Sequence, residues 1–346
     1  MALEDLVLDA LKQVMVPDVQ RDVVALGLIK EVKAQHGIVT FSVELTPASA
    51  GLQARLDPQI KQAVKAVPGV NDLAVHYLIK PEAPAKPKGP SNPPGIKHII
   101  AVGSGKGGVG KSTVTANLAI ALSASGLKVG ILDADIYGPS IPLMLGAQDQ
   151  KPGVLNEKLL PIEAHGLKLM SMGFLLPNAD DPVVWRGPML AGALRQFLND
   201  VNWGELDVLL VDLPPGTGDI PLTLVQLIPL SGAVIVITPQ PVAAAIGTKT
   251  LRMLQQSRVR ILGLIENMSY FDCPTCHTET AIFDRGGGAT TSEREGVPFL
   301  GEIPLDPKIR ASGDAGIPVT IAEPDSPQAQ AFRKLADQLW AALVPT

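Results

Sequence analysis

The chain contains two cysteines, Cys273 and Cys276, and they stand three residues apart in the stretch "DCPTCH". Thiolate sulfur binds zinc, copper(I) and iron-sulfur clusters, and this spacing lets both sulfurs reach one metal centre. Pro274 favours the tight turn that such binding needs. Two thiolates are half of a four-sulfur site, so a complete site of this kind requires two copies of the chain near a two-fold axis.

The same stretch fits other chemistry. A zinc ion held by the same four sulfurs satisfies the spacing equally well. The letters "CPTCH" also match covalent haem attachment, but that chemistry belongs to exported proteins, and "MALEDLVLDALKQ" lacks the basic start of an export signal. A thioredoxin-like redox pair favours a helix start, whereas "YFDCPTCHTET" is typical of a loop. We expect His277 to be exposed to solvent rather than a ligand.

A glycine-rich stretch provides a second kind of chemistry. Gly105, Gly110, Lys111 and Ser112 in "GSGKGGVGKST" fit the pattern G-x-x-x-x-G-K-[ST], between an apolar run and a helical stretch. In such a loop the backbone N–H groups and the helix N-terminus attract phosphate oxygens. Lys111 would add a point charge and Ser112 a ligand for Mg²⁺. The pattern therefore predicts a nucleotide phosphate site.

Aspartates follow two further apolar runs. Asp133 and Asp135 end "VGILDAD", and Asp212 ends "VLLVD". Open α/β sheets bind ligands at the carboxyl ends of their strands, and an aspartate there is the expected carboxylate beside Mg²⁺. Each aspartate alone is equally typical of a turn or a helix cap. Together with the glycine-rich loop, the aspartates favour ATP hydrolysis.

The elements that must position these residues alternate in type after residue 97. Short, almost wholly apolar runs are typical of parallel strands buried on both faces, and helical stretches separate them. The pattern predicts an α/β fold with a doubly wound, mainly parallel sheet, and a closing amphipathic helix near the C-terminus. The predicted strands are "HIIAVGS", "KVGILDAD", "LKLMSMG", "LDVLLVDL", "GAVIVIT", "VRILGLIEN" and "VPFLGEIP".

Residues 81–95 hold six prolines and no apolar periodicity, which predicts a linker over 81–96. Before the linker, residues 1–80 predict a small α+β domain of αββαβ type. Its strand "IVTFSVEL" alternates apolar and polar residues, and its second helix is predicted over 58–66, with Asp57 and Pro58 at the start. Residues 97–346 then form the larger domain.

The bulk composition limits the partners. Lysine and arginine number 29 and acidic residues 34, so the net charge of -5 provides no basic surplus for nucleic acid. The longest apolar runs are far shorter than the roughly 20 residues that cross a bilayer, so we expect no membrane partner. Two cysteines in a chain of this length are typical of the reducing cytoplasm.

Several motifs occur in a characteristic order, and on them the chain resembles the Mrp/ApbC family of iron-sulfur cluster carrier ATPases over about residues 97–320. This family is a branch of the MinD/ParA-like deviant Walker A class of P-loop NTPases. Residues 1–80 resemble the SufT-like iron-sulfur assembly domain, although Ser49 stands where that domain commonly has a cysteine. The motifs are "GKGGVGKST", "DADIYGPS", "WRGPM", "DLPPGTGD", "TPQ", "ENMS" and "CPTC".

The resemblance implies an ATP hydrolase that needs Mg²⁺, forms a homodimer and delivers a 4Fe-4S cluster to apo iron-sulfur proteins. Cys273 and Cys276 of each copy would hold the cluster. Lys106 would reach the partner's nucleotide, and Asp135 would orient the attacking water beside Lys111. Asn267 would recognise adenine, and Asp212 with Gly216 would sense the γ-phosphate. The other residues implied for nucleotide and Mg²⁺ are Gly105, Gly107, Gly108, Val109, Gly110, Ser112, Thr113 and Asp133.

Other functions share parts of this pattern. A MinD/ParA-like partitioning ATPase would carry a basic amphipathic tail, whereas this C-terminus ends in "LWAALVPT". A nitrogenase-reductase-like electron donor would have its two ligand cysteines far apart. A zinc-bridged dimeric ATPase would use the same two cysteines. Trp185 and Arg186 match the family motif, but the sequence assigns them no task.

Overall fold

A computed structural model describes residues 3–16, 21–45, 52–79, 92–175, 187–276 and 278–344 of the chain. The chain divides into two compact units, Met1–Lys88 and Gly89–Thr346. Among the described residues, no helix is both long and apolar enough to cross a membrane. Five sequence predictions concern residues wholly or largely outside the described ranges, namely those on Ser49, Trp185, Arg186 and His277 and that of a linker over 81–96.

The described part of the first unit contains a three-stranded sheet, a strand pair and two helices. In the sheet, β3 and β4 are antiparallel and β4 and β5 are parallel. The predicted alternation in β4 is confirmed, since Val39, Phe41, Val43 and Leu45 are all buried. The elements are α1 (Leu3–Leu11), β1 (Met15–Val16), β2 (Arg21–Asp22), β3 (Ile29–Gln35), β4 (Ile38–Leu45), α2 (Gln53–Lys65) and β5 (Asp72–Ile79).

The predicted start of the second helix was wrong. α2 begins at Gln53, and Pro58 lies inside it rather than at its first position. Leu56, Ile60 and Val64 are completely buried at a spacing of four residues, so the apolar stripe of the helix already begins before the proline. Burial of this stripe outweighs the local preference of proline for a helix start.

The second unit contains an eight-stranded sheet in the order β10-β11-β7-β12-β6-β13-β14-β17. All neighbouring strands are parallel except the pair β10 and β11 at one edge. All seven predicted strands are present as β6, β7, β11, β12, β13, β14 and β17. The elements are β6 (Ile96–Ser104), α3 (Lys111–Ala124), β7 (Val129–Asp133), α4 (Ile141–Met144), β8 (Gly153–Leu155), β9 (Lys158–Leu160), β10 (Ile162–Ala164), β11 (Leu167–Ser171), a 3₁₀ turn (Met172–Leu175), α5 (Gly187–Asn199), β12 (Leu206–Asp212), α6 (Asp219–Leu227), β13 (Gly232–Ile237), α7 (Pro241–Gln256), β14 (Ile261–Asn267), β15 (Phe271–Asp272), β16 (Glu279–Thr280), α8 (Gly287–Glu295), β17 (Phe299–Ile303), α9 (Pro307–Asp314), α10 (Val319–Ala322) and α11 (Pro327–Leu343).

Helices cover both faces of this sheet. Ile100 and Val102 of β6 pack in a core with residues of α3 and α11. Ile99 and Ala101 point to the opposite face and pack with residues of α5, α6 and α7. A strand buried on both faces cannot alternate apolar and polar residues, which is why these strands read as continuous apolar runs.

The register of the sheet brings the predicted site residues to one edge. Asp212 at the end of β12 lies beside Asp133 at the end of β7, and beside Val102 of β6. Ser104, the last residue of β6, lies beside Val236 near the end of β13. The loops that leave these strands therefore begin side by side, at the carboxyl edge where such sheets bind ligands.

Candidate functional site

The glycine-rich loop joins β6 to α3 and passes between α7 and the end of β14. A Cβ atom on Gly105 would lie 2.5 Å from the backbone carbonyl carbon of Ile246 in α7. Gly110 has φ +81°, and a Cβ atom there would lie 2.2 Å from Nδ2 of Asn267 at the end of β14. Only glycine fits at these two positions, because the loop is held closely from both sides.

Three donors of α3 converge on one buried carboxylate. Asp212 is completely buried and accepts hydrogen bonds from Lys111 Nζ at 2.5 Å, Ser112 Oγ at 2.6 Å and Thr115 Oγ1 at 2.7 Å. Sequence analysis did not identify Thr115. Its position four residues after Lys111, on the same side of the helix, is the signal that could have found it. The carboxylate thus joins β12 to the first turn of α3.

Lys111 also lies 3.5 Å from Asp135, a largely buried residue beyond the end of β7. Burial raises the pKa of Asp135, while the ammonium group of Lys111 opposes the increase. The backbone N–H of Tyr137 donates to Oδ1 of Asp135 at 3.2 Å. A carboxylate with a raised pKa is suited to hold or accept a proton near a reacting group.

Asp133 lies deeper and binds other protein groups with both carboxylate oxygens. It accepts hydrogen bonds from Ser171 Oγ at 2.9 Å and from the backbone N–H groups of Asp135 at 3.2 Å and Ile141 at 3.3 Å. Burial, with a contribution from the nearby Asp212, raises the pKa of Asp133 to about 8. These contacts shape the loop from β7 to α4, a task that sequence analysis did not foresee for Asp133 or Ser171.

A cavity of about 270 Å³ lies over the glycine-rich loop, and eight of the predicted nucleotide residues line it. The space beside Gly107 and Gly108 is open, since a Cβ atom on either residue would have no neighbour within 4 Å. The other six predicted residues lie outside this lining, namely Gly105, Val109, Asp133, Asp212, Gly216 and Asn267. The eight residues in the lining are Lys106, Gly107, Gly108, Gly110, Lys111, Ser112, Thr113 and Asp135.

A second cavity, of about 210 Å³, shares Gly110, Thr113 and Met144 with the first. Its other walls come from the segment after β14 and from the region of α9, and they offer apolar side chains with a few polar groups. Such a surface fits the flat faces of a nucleobase. The further lining residues are Asn267, Met268, Pro304, Leu305, Asp306, Ile309, Arg310, Gly313 and Asp314.

Asn267 contacts the glycine-rich loop directly. Its Nδ2 donates a hydrogen bond to the carbonyl oxygen of Val109 at 2.8 Å, and the residue is buried. Its task in this structure is therefore to hold the loop, and adenine recognition stays a prediction. The half-buried Lys106 places its Nζ 3.4 Å from Oε1 of Gln240 in the same chain. The N–H of Gly216 donates to the carbonyl oxygen of Ser104 at 2.9 Å.

The cysteine pair lies in a loop, as the sequence predicts, and this loop is the turn of a short hairpin. β15 and β16 pair Phe271 with Thr280 and Asp272 with Glu279. With two residues in each strand, this hairpin is too short to give a periodic pattern in the sequence. The turn therefore presents both thiols at the end of a defined element.

Cys276 is exposed and Cys273 half-buried, and both thiols are free. A hydrogen bond between the Cys276 Sγ and the Thr278 hydroxyl at 3.4 Å lowers the pKa of Cys276, which favours its thiolate. Among the described residues, no three His, Cys, Asp or Glu side chains are grouped so that they could hold a metal ion. The described part of one chain thus brings two sulfur ligands together without a third ligand.

Comparison with known proteins gives two matching families. Residues 95–340 match the family described as NUBPL iron-transfer P-loop NTPase, and residues 4–77 match a family described as iron-sulfur cluster assembly protein. The iron-sulfur cluster carrier protein of Synechocystis is 44% identical over 346 aligned residues, which cover 98% of this chain and 97% of that protein. The resemblance inferred from the motifs is confirmed.

Solved structures agree on the fold of the second unit. The nucleotide-binding protein of Archaeoglobus fulgidus in complex with ADP is 44% identical, with a TM-score of 0.60, over 68% of this chain and 92% of that one. The septum site-determining protein MinD of Pyrococcus horikoshii, complexed with Mg-ADP, is 26% identical, with a TM-score of 0.53, over 72% of this chain and 100% of that one. The predicted fold class is confirmed. This chain belongs to the NUBPL iron-transfer P-loop NTPase family.

Proposed function

We propose that this chain is an ATP-hydrolysing carrier that holds a 4Fe-4S cluster between two copies and transfers it to apo iron-sulfur proteins. The observation that carries the proposal is the hairpin turn with both cysteines of the chain, which offers half of a four-sulfur site. Family membership and the carrier relative from Synechocystis support the same function. We also propose a cytoplasmic location, where free thiols of this kind stay reduced.

The residues around the first cavity fit a triphosphate. The open face of Gly107 and Gly108 leaves room for phosphate oxygens against backbone N–H groups. Lys111 would turn from Asp212 toward the phosphates, and the hydroxyl of Ser112 would hold Mg²⁺. When bound, this ion neutralises charge on the phosphate oxygens. Asp135 lines the same cavity and would orient the attacking water.

Further roles follow from family membership. Lys106 would leave Gln240 and reach the nucleotide of a second copy, and Gly216 would sense the γ-phosphate. Thr113 lines both cavities and is therefore suited to contact the nucleotide between phosphate and base. We propose that the domain of residues 1–80, with Ser49 in place of a thiol, docks recipient proteins instead of binding the cluster.

The two sites would act together through the dimer. The cluster as cargo requires four sulfurs, so Cys273 and Cys276 of one copy need the same pair from another copy. Hydrolysis changes the contacts that nucleotide makes between copies, so it would change how firmly the shared cluster is held. A carrier of this design would retain or release its cargo according to the nucleotide.

Anaerobic reconstitution with iron and sulfide tests the proposal. The wild-type chain should gain visible absorption and the Mössbauer spectrum of a 4Fe-4S cluster, with the mass of a dimer. Cys276→Ser should lose the cluster and keep ADP binding, whereas Lys111→Ala should keep the cluster and lose nucleotide-dependent transfer. Each variant controls for the fold of the other. A cluster on Cys276→Ser, or on a monomer, would contradict the shared site.

The main alternative is a zinc ion at the same four sulfurs, since thiolates bind both metals. Metal analysis of the protein as purified without oxygen separates the two. Iron with an equal amount of sulfide supports the carrier, and stoichiometric zinc without iron supports a zinc-bridged dimeric ATPase. ATP-dependent sedimentation with vesicles or DNA, again without iron, would instead favour a partitioning ATPase.

A further inference from the structure

The end of β14 and the residues that follow it contact both the glycine-rich loop and the surroundings of the cysteine hairpin. Asn267 donates to the carbonyl oxygen of Val109 in the loop. Met268 has φ +58°, a left-handed conformation that is uncommon outside glycine, and it lines the second cavity. The next residue, Ser269, is completely buried, and Tyr270 then leads into β15. Residues 266–270 are called the connector below.

Arg285 joins the connector to the hairpin. Its Nη1 lies 2.8 Å from Oε2 of Glu279 in β16, and its Nε lies 3.1 Å from Oε2 of Glu302 in β17. Its Nη2 donates to the second oxygen of Glu302. The guanidinium carbon lies 4.4 Å from the ring centroid of Tyr270 in the connector. One side chain thus touches the hairpin, the sheet and the connector.

Polar contacts continue from Arg285 into the buried end of β14 through one hydroxyl group, whose single proton is available to either of two carboxylates. The hydroxyl of Ser269 lies 2.8 Å from Oε2 of Glu302 and 2.5 Å from Oε1 of Glu266. The completely buried Glu266 accepts from the backbone N–H of Gly286 at 3.0 Å and from that of Gly288 at 2.5 Å. Glu266 therefore fixes the backbone directly after Arg285 to the strand that ends at Asn267.

The hairpin has little stability of its own. Two residue pairs bury too little surface to hold a hairpin in water, and both cysteines lie at its end. Charge-assisted hydrogen bonds to a planar guanidinium are the stronger kind, and they give direction as well as attraction. The hydrogen bonds from Arg285 also lower the pKa of Glu302, so this carboxylate stays ionised near neutral pH. Arg285 thus provides a polar contact between the hairpin and the sheet.

We propose that Arg285 is a positioning residue that fixes the cysteine hairpin to the connector, so that nucleotide bound at the glycine-rich loop changes the exposure of the two thiols. This inference rests on the proposed function, because it assumes that nucleotide binds beside Asn267 and Met268. It assigns the transmission within one chain to Glu279, Glu302 and Arg285, in addition to any contact between copies.

Hydrogen exchange of the full-length chain, followed by mass spectrometry of peptides that cover 271–280, tests this. ADP should slow exchange in this hairpin of the wild-type protein. In Arg285→Ala the hairpin should exchange about tenfold faster, as the loss of charged hydrogen bonds implies, and should no longer respond to ADP. The dissociation constant for ADP should stay within about twofold of the wild-type value.

Arg252→Ala is the matched control. Arg252 also binds a glutamate with two nitrogens: its Nε lies 3.0 Å from Oε2 of Glu295 and its Nη2 lies 3.1 Å from Oε1. Among the described residues, Arg252 makes no such contact with the hairpin. It should leave hairpin exchange and the ADP response as in the wild type. Arg285→Lys keeps the charge without the planar fork, so its hairpin should respond to ADP partly.

The outcomes separate this inference from the proposed function. A wild-type chain that does not bind ADP would overturn both. ADP binding with an unchanged hairpin, an undiminished response in Arg285→Ala, or an equal loss of response in Arg252→Ala would overturn the inference alone. The reaction rate of Cys276 with a disulfide reagent is the second measurement. It should change with ADP in the wild type and stay constant in Arg285→Ala.

Discussion

Replacing Thr115 by valine tests the contact between α3 and β12. The substitution keeps the shape of the side chain and removes one hydroxyl group. That hydroxyl lies 2.7 Å from Asp212 and 3.0 Å from the carbonyl oxygen of Lys111. It carries one proton, and the carboxylate, as the charged and nearer acceptor, receives it. Thr115→Val therefore removes one of three donors from a completely buried carboxylate.

The expected loss of stability follows from this environment. A hydrogen bond to a charged group contributes about 1.5–3 kcal/mol, and burial of Asp212 leaves no water to replace the donor. We expect the free energy of unfolding to fall by about 2 kcal/mol. For a domain of this size each kcal/mol lowers the melting temperature by about 2–4 °C, so the decrease should be about 4–8 °C.

Tryptophan fluorescence measures this in the full chain, because the three tryptophans all follow residue 89 in the sequence, and Trp203 and Trp340 lie in the second unit. Thr250→Val is the matched control. Thr250 is 1% exposed, and its hydroxyl has no hydrogen-bond partner among the described residues, so its removal should leave stability unchanged or slightly raised. Melting of Thr115→Val within about 1 °C of the wild type, or an equal decrease in both variants, would show that the hydroxyl of Thr115 does not stabilise the buried Asp212.

Three further predictions concern the same edge of the sheet. Burial raises the pKa of Asp133 from 3.8 to about 8, so between these values the folded state keeps a proton that the unfolded chain releases. The contribution of Asp133 to the free energy of unfolding should therefore decrease as pH rises from about 4 to about 8. In urea unfolding, the free energy of Asp133→Asn should depend less on pH than that of the wild type. Gly105→Ala places a Cβ atom 2.5 Å from the Ile246 carbonyl carbon and should cost about 1–3 kcal/mol in thermal unfolding, whereas Gly107→Ala should melt like the wild type; equal melting of both variants would contradict the packing argument. Asn267→Ala leaves the loop carbonyl that it now binds without this donor, so calorimetry should show ADP binding weakened by about tenfold, and unchanged affinity would show that the loop does not depend on this contact.

The sheet was predictable because its central strands are buried on both faces. Each of the seven apolar runs carries its own evidence, and an aspartate at the end of such a run lies at the ligand-binding edge wherever the strand stands in the sheet. The roles of Asp133 and Asp135 were not separable in the same way. Both follow β7, and only the structure shows that Asp133 binds Ser171 while Asp135 lines the cavity.

Contacts between distant segments account for the other differences. Ser171 contacts Asp133 because β11 lies beside β7 in the sheet. Arg285, between the hairpin and α8, contacts Glu302 of β17, which is a later segment of the chain. Neither pair has a signal in local spacing, since each depends on strand order. The start of α2 differs for a related reason: the buried stripe of Leu56, Ile60 and Val64 outweighs the preference of Pro58.

The charges at the carboxyl edge explain how one lysine can stand among three aspartates. Burial favours the protonated form of Asp133, which leaves Lys111 to be shared by Asp212 at 2.5 Å and Asp135 at 3.5 Å. If Lys111 turns toward a phosphate, Asp212 keeps the hydroxyl groups of Ser112 and Thr115 but loses its cation. A buried carboxylate without a cation is costly. We therefore expect this edge to bind a nucleotide with a divalent cation more tightly than a free one, because the ion would compensate the charge that Lys111 leaves behind.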